Sequence, residues 1–80
     1  MENVYLPELG EGIEKAIVAC WHASIGDEVS KDDDIVELVT DKATFHVSAG
    51  IFGTIKEVRF KQGEEARIGE VLAVIEPRKL

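Results

Sequence analysis

The apolar residues of this chain come in short runs, each ended by a turn signal. The runs are "VYL", "AIVACWHA", "DIVELV", "TFHVSA", "GTIKEVRF" and "VLAVIE". Between them lie "GEG", "SIGDE", "SKDDD", "AGIFG", "KQGEE" and "RIGE". Seven glycines are spread through the chain and cut it into pieces of strand length. One stretch, "EKAIVACWHA", could be scored as helix on composition, but Ile17 and Val18 are β-branched, Trp21 is aromatic and alternation is present. Short strands separated by regular turns predict an all-β sandwich or flattened barrel.

The pattern also repeats. Shifted by 37 residues, Gly26-Asp27 falls on Gly63-Glu64, Val18 on Ile55, Trp21 on Val58, Ile35 on Leu72 and Leu38 on Ile75. Neither half is large enough to close a core alone. Two similar sheets packed face to face, related by an approximate two-fold axis, satisfy both observations. The core candidates are Trp21, Leu38, Phe45, Ile55, Val58, Leu72 and Ile75.

The central segment "VTDKATFHV", residues 39–47, reads as a hairpin with Asp41-Lys42 as its two-residue loop. That register sets Val36 against Val47, Leu38 against Phe45 and Thr40 against Ala43 on one face, and Glu37 against His46 and Val39 against Thr44 on the other. Side chains alternate across a strand, so this choice gives one apolar and one mostly polar face. A slip of one residue would mix them, which specifies the register. The loop is unusual, because such hairpins favour Asn-Gly, Asp-Gly or Gly-X. Here a long charged side chain, Lys42, stands at the tip between Asp41 and Ala43.

Several chemistries are disfavoured. Net charge is −7, from 16 acidic and 9 basic side chains, which is the wrong sign for non-specific nucleic-acid binding or for anionic lipid. No apolar run approaches the ~20 residues that span a bilayer, and no signal peptide is visible. The single cysteine, Cys20, permits no intrachain disulfide and suits a reducing compartment. Its place in "IVACW" predicts a buried structural thiol. His22 and His46 lack zinc-site spacing and read as surface or edge residues, so no metal site is expected. "DDD", residues 32–34, lacks the pattern of a calcium loop, and "GEGIEK", residues 10–15, lacks the third glycine of a dinucleotide fingerprint. No serine sits in a nucleophile elbow. Independent catalysis is not expected. Lys42 remains, an open amine that is protonated near neutral pH and needs a modifying enzyme and an activated acyl group to react.

Four segments carry a resemblance: "LPELGEGI", "GDEV", "VTDKA" and "GTIKEVRFKQGEEARIGEVLAVIE". They resemble the lipoyl domains of the acyltransferase (E2) component of 2-oxo acid dehydrogenase complexes, from about Val4 to Glu76. Residues 1–76 are accordingly read as the domain and 77–80 as the start of a linker or tail. The resemblance implies a flattened barrel of two four-stranded antiparallel sheets. It implies lipoic acid in amide linkage on Lys42, a swinging arm carrying acyl groups and electrons, on a non-catalytic domain of a dihydrolipoyl acyltransferase. The implied partners are the thiamine-diphosphate 2-oxo acid dehydrogenase (E1), the E2 catalytic domain, dihydrolipoyl dehydrogenase (E3) and a lipoylating enzyme. Neither nucleic acid nor membrane is implied, and the isolated domain is expected to be a monomer. Asp41 and Ala43 would help the lipoylating enzyme and E1 recognise the tip, and Glu8, Glu11 and Glu14 in the first loop would be read by E1. The implied location is the bacterial cytoplasm, or the mitochondrial matrix in a eukaryote.

The chain departs from the family's habit at Asp33-Asp34, where Gly-Asp is frequent, at Ser48-Ala49, where Ser-Pro is frequent, and at Val39, where Glu is frequent. These positions are turns and surface. Two alternatives stand beside the lipoyl reading. A biotinyl carrier domain shares the fold and the hairpin lysine, but its lysine is typically flanked by methionines. An unmodified β-module of a transport or adaptor protein would leave Lys42 as plain surface.

Overall fold

The computed structural model describes residues 1–78. It is all β, with eight strands: β1 (Glu2–Tyr5), β2 (Lys15–Trp21), β3 (Glu28–Val29), β4 (Asp34–Val39), β5 (Thr44–Ser48), β6 (Gly53–Val58), β7 (Glu65–Arg67) and β8 (Val71–Pro77). They form two four-stranded sheets in the orders β1-β8-β6-β3 and β5-β4-β2-β7, with every pairing antiparallel. The six apolar runs became the six longer strands. The two short ones, β3 and β7, lie in segments that read only as turns, because two or three residues carry no periodicity.

The two-fold repeat extends to the register. The 37-residue shift carries β2, β3 and β4 onto β6, β7 and β8. The pair Val18↔Leu38 then becomes Ile55↔Ile75, and Trp21↔Val36 becomes Val58↔Ala73. Each of these two pairings contains a register shift, between Val18 and Cys20 in one and between Ile55 and Glu57 in the other. The turns repeat as well. Gly26 N–H donates to Ile55 O, and Gly63 N–H donates to Val18 O. The Asp27 carboxylate accepts from Ser24 N–H, and the Glu64 carboxylate accepts from Lys61 N–H.

The core lies between the sheets and takes residues from both halves. Leu38, Ile55, Leu72 and Ile75 are fully buried, as expected. Leu6, Val18, Ile35 and Val36 join them. Trp21, Phe45 and Val58 are corrected outward: each is only partly buried and packs against the core from its rim. The Trp21 indole explains its own position, since its N–H donates to Phe60 O at 2.7 Å and so needs an edge where a carbonyl is available.

Cys20 requires a second correction. It is half-buried, not buried. The register shift after Val18 reverses the alternation, so Val18 faces the core opposite Leu38 while Cys20 pairs with Glu37 on the outer face. At the chain's other end β8 runs through Pro77, and Arg78 N–H donates to Phe52 O at 2.9 Å. Residues 79 and 80 of the expected tail lie outside the described residues.

Candidate functional site

The hairpin β4–β5 has the register that the face analysis requires: Val36↔Val47, Glu37↔His46, Leu38↔Phe45 and Val39↔Thr44. Thr40 N–H donates to Ala43 O at 2.9 Å, which leaves Asp41 and Lys42 as the loop. No residue other than glycine has positive φ among the described residues, so this loop is not one of the primed turns. A side chain closes it instead. The Thr40 hydroxyl oxygen accepts from Lys42 N–H at 3.1 Å and from Ala43 N–H at 3.0 Å, and the hydroxyl donates to Ala43 O at 3.1 Å. The absence of glycine at the tip is thereby accounted for. Thr40 was not singled out from sequence, although a Ser/Thr turn was the available signal.

Asp41, Lys42 and Ala43 are all exposed. Among the described residues the two lysines on strands are engaged: Lys15 pairs with Glu65 at 3.5 Å and Lys56 with Glu76 at 3.4 Å. Lys42 forms no such pair among them. Its amine extends over the first loop. A Cβ placed on Gly12 would stand 3.5 Å from Lys42 Nζ, and Gly12 has φ +82°, which side-chain-bearing residues rarely adopt. The glycine answers to that φ, which carries the loop beneath the lysine; a Cβ there would make only an ordinary van der Waals contact with the amine.

Loop and hairpin enclose an open groove of about 590 Å³. Gly12, Ile13 and Glu14 line one side, and Val39, Thr40 and Asp41 the other. Exposed Ile17 and Val39, directly paired across β2 and β4, supply apolar surface within it. The structure thus brings Asp41 and Glu14 to one groove. Glu8 and Glu11 are exposed on the same loop but do not line that groove. The site holds an accessible amine, a turn closed by Thr40 under it, and beside it a partly apolar groove with Glu14, Asp41 and the Lys15–Glu65 pair along its walls. Chemically, an accessible primary amine of this kind can be acylated to an amide when an activated acyl group is supplied.

Comparison with known proteins agrees with that geometry. A family model described as biotin-requiring enzyme, the biotinyl/lipoyl attachment domain, matches residues 2–75. The lipoamide acyltransferase component of the branched-chain alpha-keto acid dehydrogenase complex of Bacillus subtilis is 34% identical over 76 residues, covering 95% of this chain and 18% of that protein. The dihydrolipoyllysine-residue acetyltransferase component of the pyruvate dehydrogenase complex of Staphylococcus aureus is 32% identical over 71 residues, 89% of this chain and 16% of that protein. The chain thus spans less than a fifth of the length of these relatives. The solution structure of the lipoyl domain of the 2-oxoglutarate dehydrogenase complex from Azotobacter vinelandii superposes with a TM-score of 0.77 at 32% identity, covering 95% of this chain and 96% of that one. With matches over nearly its whole length to a family model and to a solved lipoyl domain, the chain belongs to the biotinyl/lipoyl domain family, as one of its lipoyl domains.

Proposed function

We propose that Lys42 is the attachment point of a lipoyl group, and that the domain serves the E1, E2 and E3 active sites of a 2-oxo acid dehydrogenase complex. The observation that carries the reading is the placement of Lys42: exposed, at a two-residue tip whose turn is closed by the Thr40 side chain. When bound, the group supplies acyl and two-electron carriage between the thiamine-diphosphate enzyme, coenzyme A at the acyltransferase centre, and the flavoenzyme.

The chain's own residues supply geometry. The Thr40 turn fixes where the lysine leaves the sheet, the paired strands β4 and β5 fix its height above the body, and the groove beside it offers Asp41 and Glu14 to a partner. A lipoylating enzyme would read mostly the exposed tip, Asp41-Lys42-Ala43, in the position that the Thr40 turn gives it. E1 would read the tip together with the first loop, Glu8 to Glu14. Relatives from pyruvate and branched-chain complexes match at 32% and 34% identity, so the substrate is proposed as the 2-oxo acid class. The working location that goes with this reading is the bacterial cytoplasm or a mitochondrial matrix.

The test is intact-mass analysis after expression with lipoate and a lipoylating enzyme, for wild type and Lys42→Arg. Wild type should gain one lipoyl increment and the variant none. A lipoyl increment on the variant would move the site to Lys15 or Lys56. A biotinyl increment from a biotinylating host would favour the biotin carrier reading, and an unmodified wild type would favour a plain β-module.

A further inference from the structure

On the outer face of the sheet that carries Lys42, four side chains of metal-ligating type converge. Cys20, Glu37 and His46 lie in one row across β2, β4 and β5, because Cys20 pairs directly with Glu37 and Glu37 directly with His46. His22 stands two residues beyond Cys20, held by its N–H to Ile35 O at 2.8 Å. The donor atoms are close. Cys20 Sγ lies 3.9 Å from His22 Nε2, His22 Nε2 lies 3.7 Å from Glu37 Oε1, and His46 Nε2 lies 3.2 Å from the same oxygen. Ligand atoms of Cys20, His22 and Glu37 all fall within 4.8 Å of one another. The two imidazole centroids are 6.3 Å apart with the rings tilted by 59°.

The Cys20, His22 and Glu37 separations suit three vertices of a tetrahedral ion. Zinc bonds of about 2.0–2.1 Å to nitrogen or oxygen and about 2.3 Å to sulfur give tetrahedron edges of about 3.3 Å between N and O, and about 3.6 Å between S and N. The Cys20–His22 and His22–Glu37 edges lie within a few tenths of an ångström of these values. His46 stands outside that trio and bonds to Glu37. One thiolate, one imidazole and one carboxylate, with the fourth position left to water, form a mixed donor set that suits zinc and excludes magnesium or calcium, which take oxygen ligands.

The fold supplies its own control. The two-fold repeat places Glu57 where Cys20 stands, Arg59 where His22 stands, Val74 where Glu37 stands and Asn3 where His46 stands. There Glu57 and Arg59 make an ordinary surface ion pair at 3.5 Å. The backbone of this fold therefore does not require a ligand set at that position.

We propose that Cys20, His22 and Glu37 form a binding site for a divalent transition ion, zinc by its donor set, on the outer face of the sheet that carries Lys42, with His46 orienting the Glu37 carboxylate. On binding, Cys20 releases its thiol proton to solvent and His22 offers Nε2 as a neutral ring protonated at Nδ1. No electron is transferred. The register shift after Val18 is what makes the site, since without it Cys20 would face the core.

The test uses the 80-residue chain prepared without lipoate, so that no arm sulfur competes. Cobalt titration followed by absorption, and zinc titration by calorimetry, should show one ion per chain. The cobalt form should show tetrahedral d–d bands and a thiolate-to-cobalt charge-transfer band. Cys20→Ser should abolish the charge-transfer band, and Cys20→Ser and His46→Gln should each weaken zinc by about tenfold or more. Glu57→Gln, at the equivalent place on the other sheet, should leave binding unchanged. All three positions lie on outer faces, and unchanged circular dichroism would establish folding. Zinc binding of equal strength in Cys20→Ser, or no zinc bound to the folded wild type, would overturn the proposal.

Discussion

The Thr40 hydroxyl donates to the carbonyl of Ala43 and accepts from its N–H, so one side chain clamps the residue beyond the lysine from both sides. A third bond, from Lys42 N–H, ties the lysine's own backbone to the same oxygen. Each such bond is worth about 0.5–1.5 kcal/mol when shielded, and less at an exposed tip. Thr40→Val should therefore lower global stability by only about 1 kcal/mol or less. It should release the tip, with faster amide exchange at Lys42 and Ala43 and slower lipoylation. Thr40→Ser should restore both. Equal exchange rates in wild type and Thr40→Val would show that the hydroxyl does not hold the turn.

Leu38 and Ile75 occupy equivalent positions in the two halves and both are fully buried. Each pairs with an equivalent residue within its own sheet, Leu38 with Val18 and Ile75 with Ile55. Leu38→Ala and Ile75→Ala should each cost about 2–5 kcal/mol, read as a lower urea midpoint with an unchanged slope. A loss at one position only would show that the two halves do not share the core equally.

Gly53 in β6 lies against the backbone of β8. A Cβ there would overlap Glu76 O and stand 2.7 Å from Ile75 Cγ2. The obstacle includes main chain in a central strand pair, which cannot swing aside. The equivalent residue in the other half, Ala16, carries a methyl group, so the close approach belongs to this sheet alone. Gly53→Ala should cost about 1–3 kcal/mol by overpacking. Thermal unfolding of Gly53→Ala beside Gly26→Ala, where a Cβ meets nothing within 4 Å, would separate steric overlap from backbone strain.

How much of this was legible depended on range. The hairpin was readable because Val36, Leu38, Phe45 and Val47 alternate with Glu37 and His46, and period-two alternation survives in any fold that buries one face. The 37-residue repeat was readable because its turns keep a glycine followed by an acid. Cys20 was misread because one register shift reverses alternation without changing composition. Gly12 could not be tied to Lys42, since a loop's path over a distant hairpin has no local signature. The convergence of Cys20, His22, Glu37 and His46 was invisible for the same reason: strand pairing, not spacing along the chain, makes them neighbours.

Glu14 and Asp41 line one groove beside Lys42, with apolar Ile17 and Val39 between loop and hairpin. Glu11 lies on the same loop but not on that groove. Exposed charges act mainly by steering encounter and fixing orientation, and they fade as salt shortens the screening length to about 10 Å at 0.1 M. Glu11→Lys with Glu14→Lys should therefore lower the rate of reductive acylation of the lipoylated domain by its cognate E1, at low salt more than at high salt. Of the single variants, Glu14→Lys should carry most of the loss, because it alone changes the groove. Lipoylation should change little, since that enzyme needs the tip. The measurement is acyl transfer from the 2-oxo acid at two ionic strengths for both single variants and the double. If the double variant matches wild type at low salt, E1 does not read the first loop. If Glu11→Lys carries the loss, recognition lies on the loop's outer surface, away from the groove.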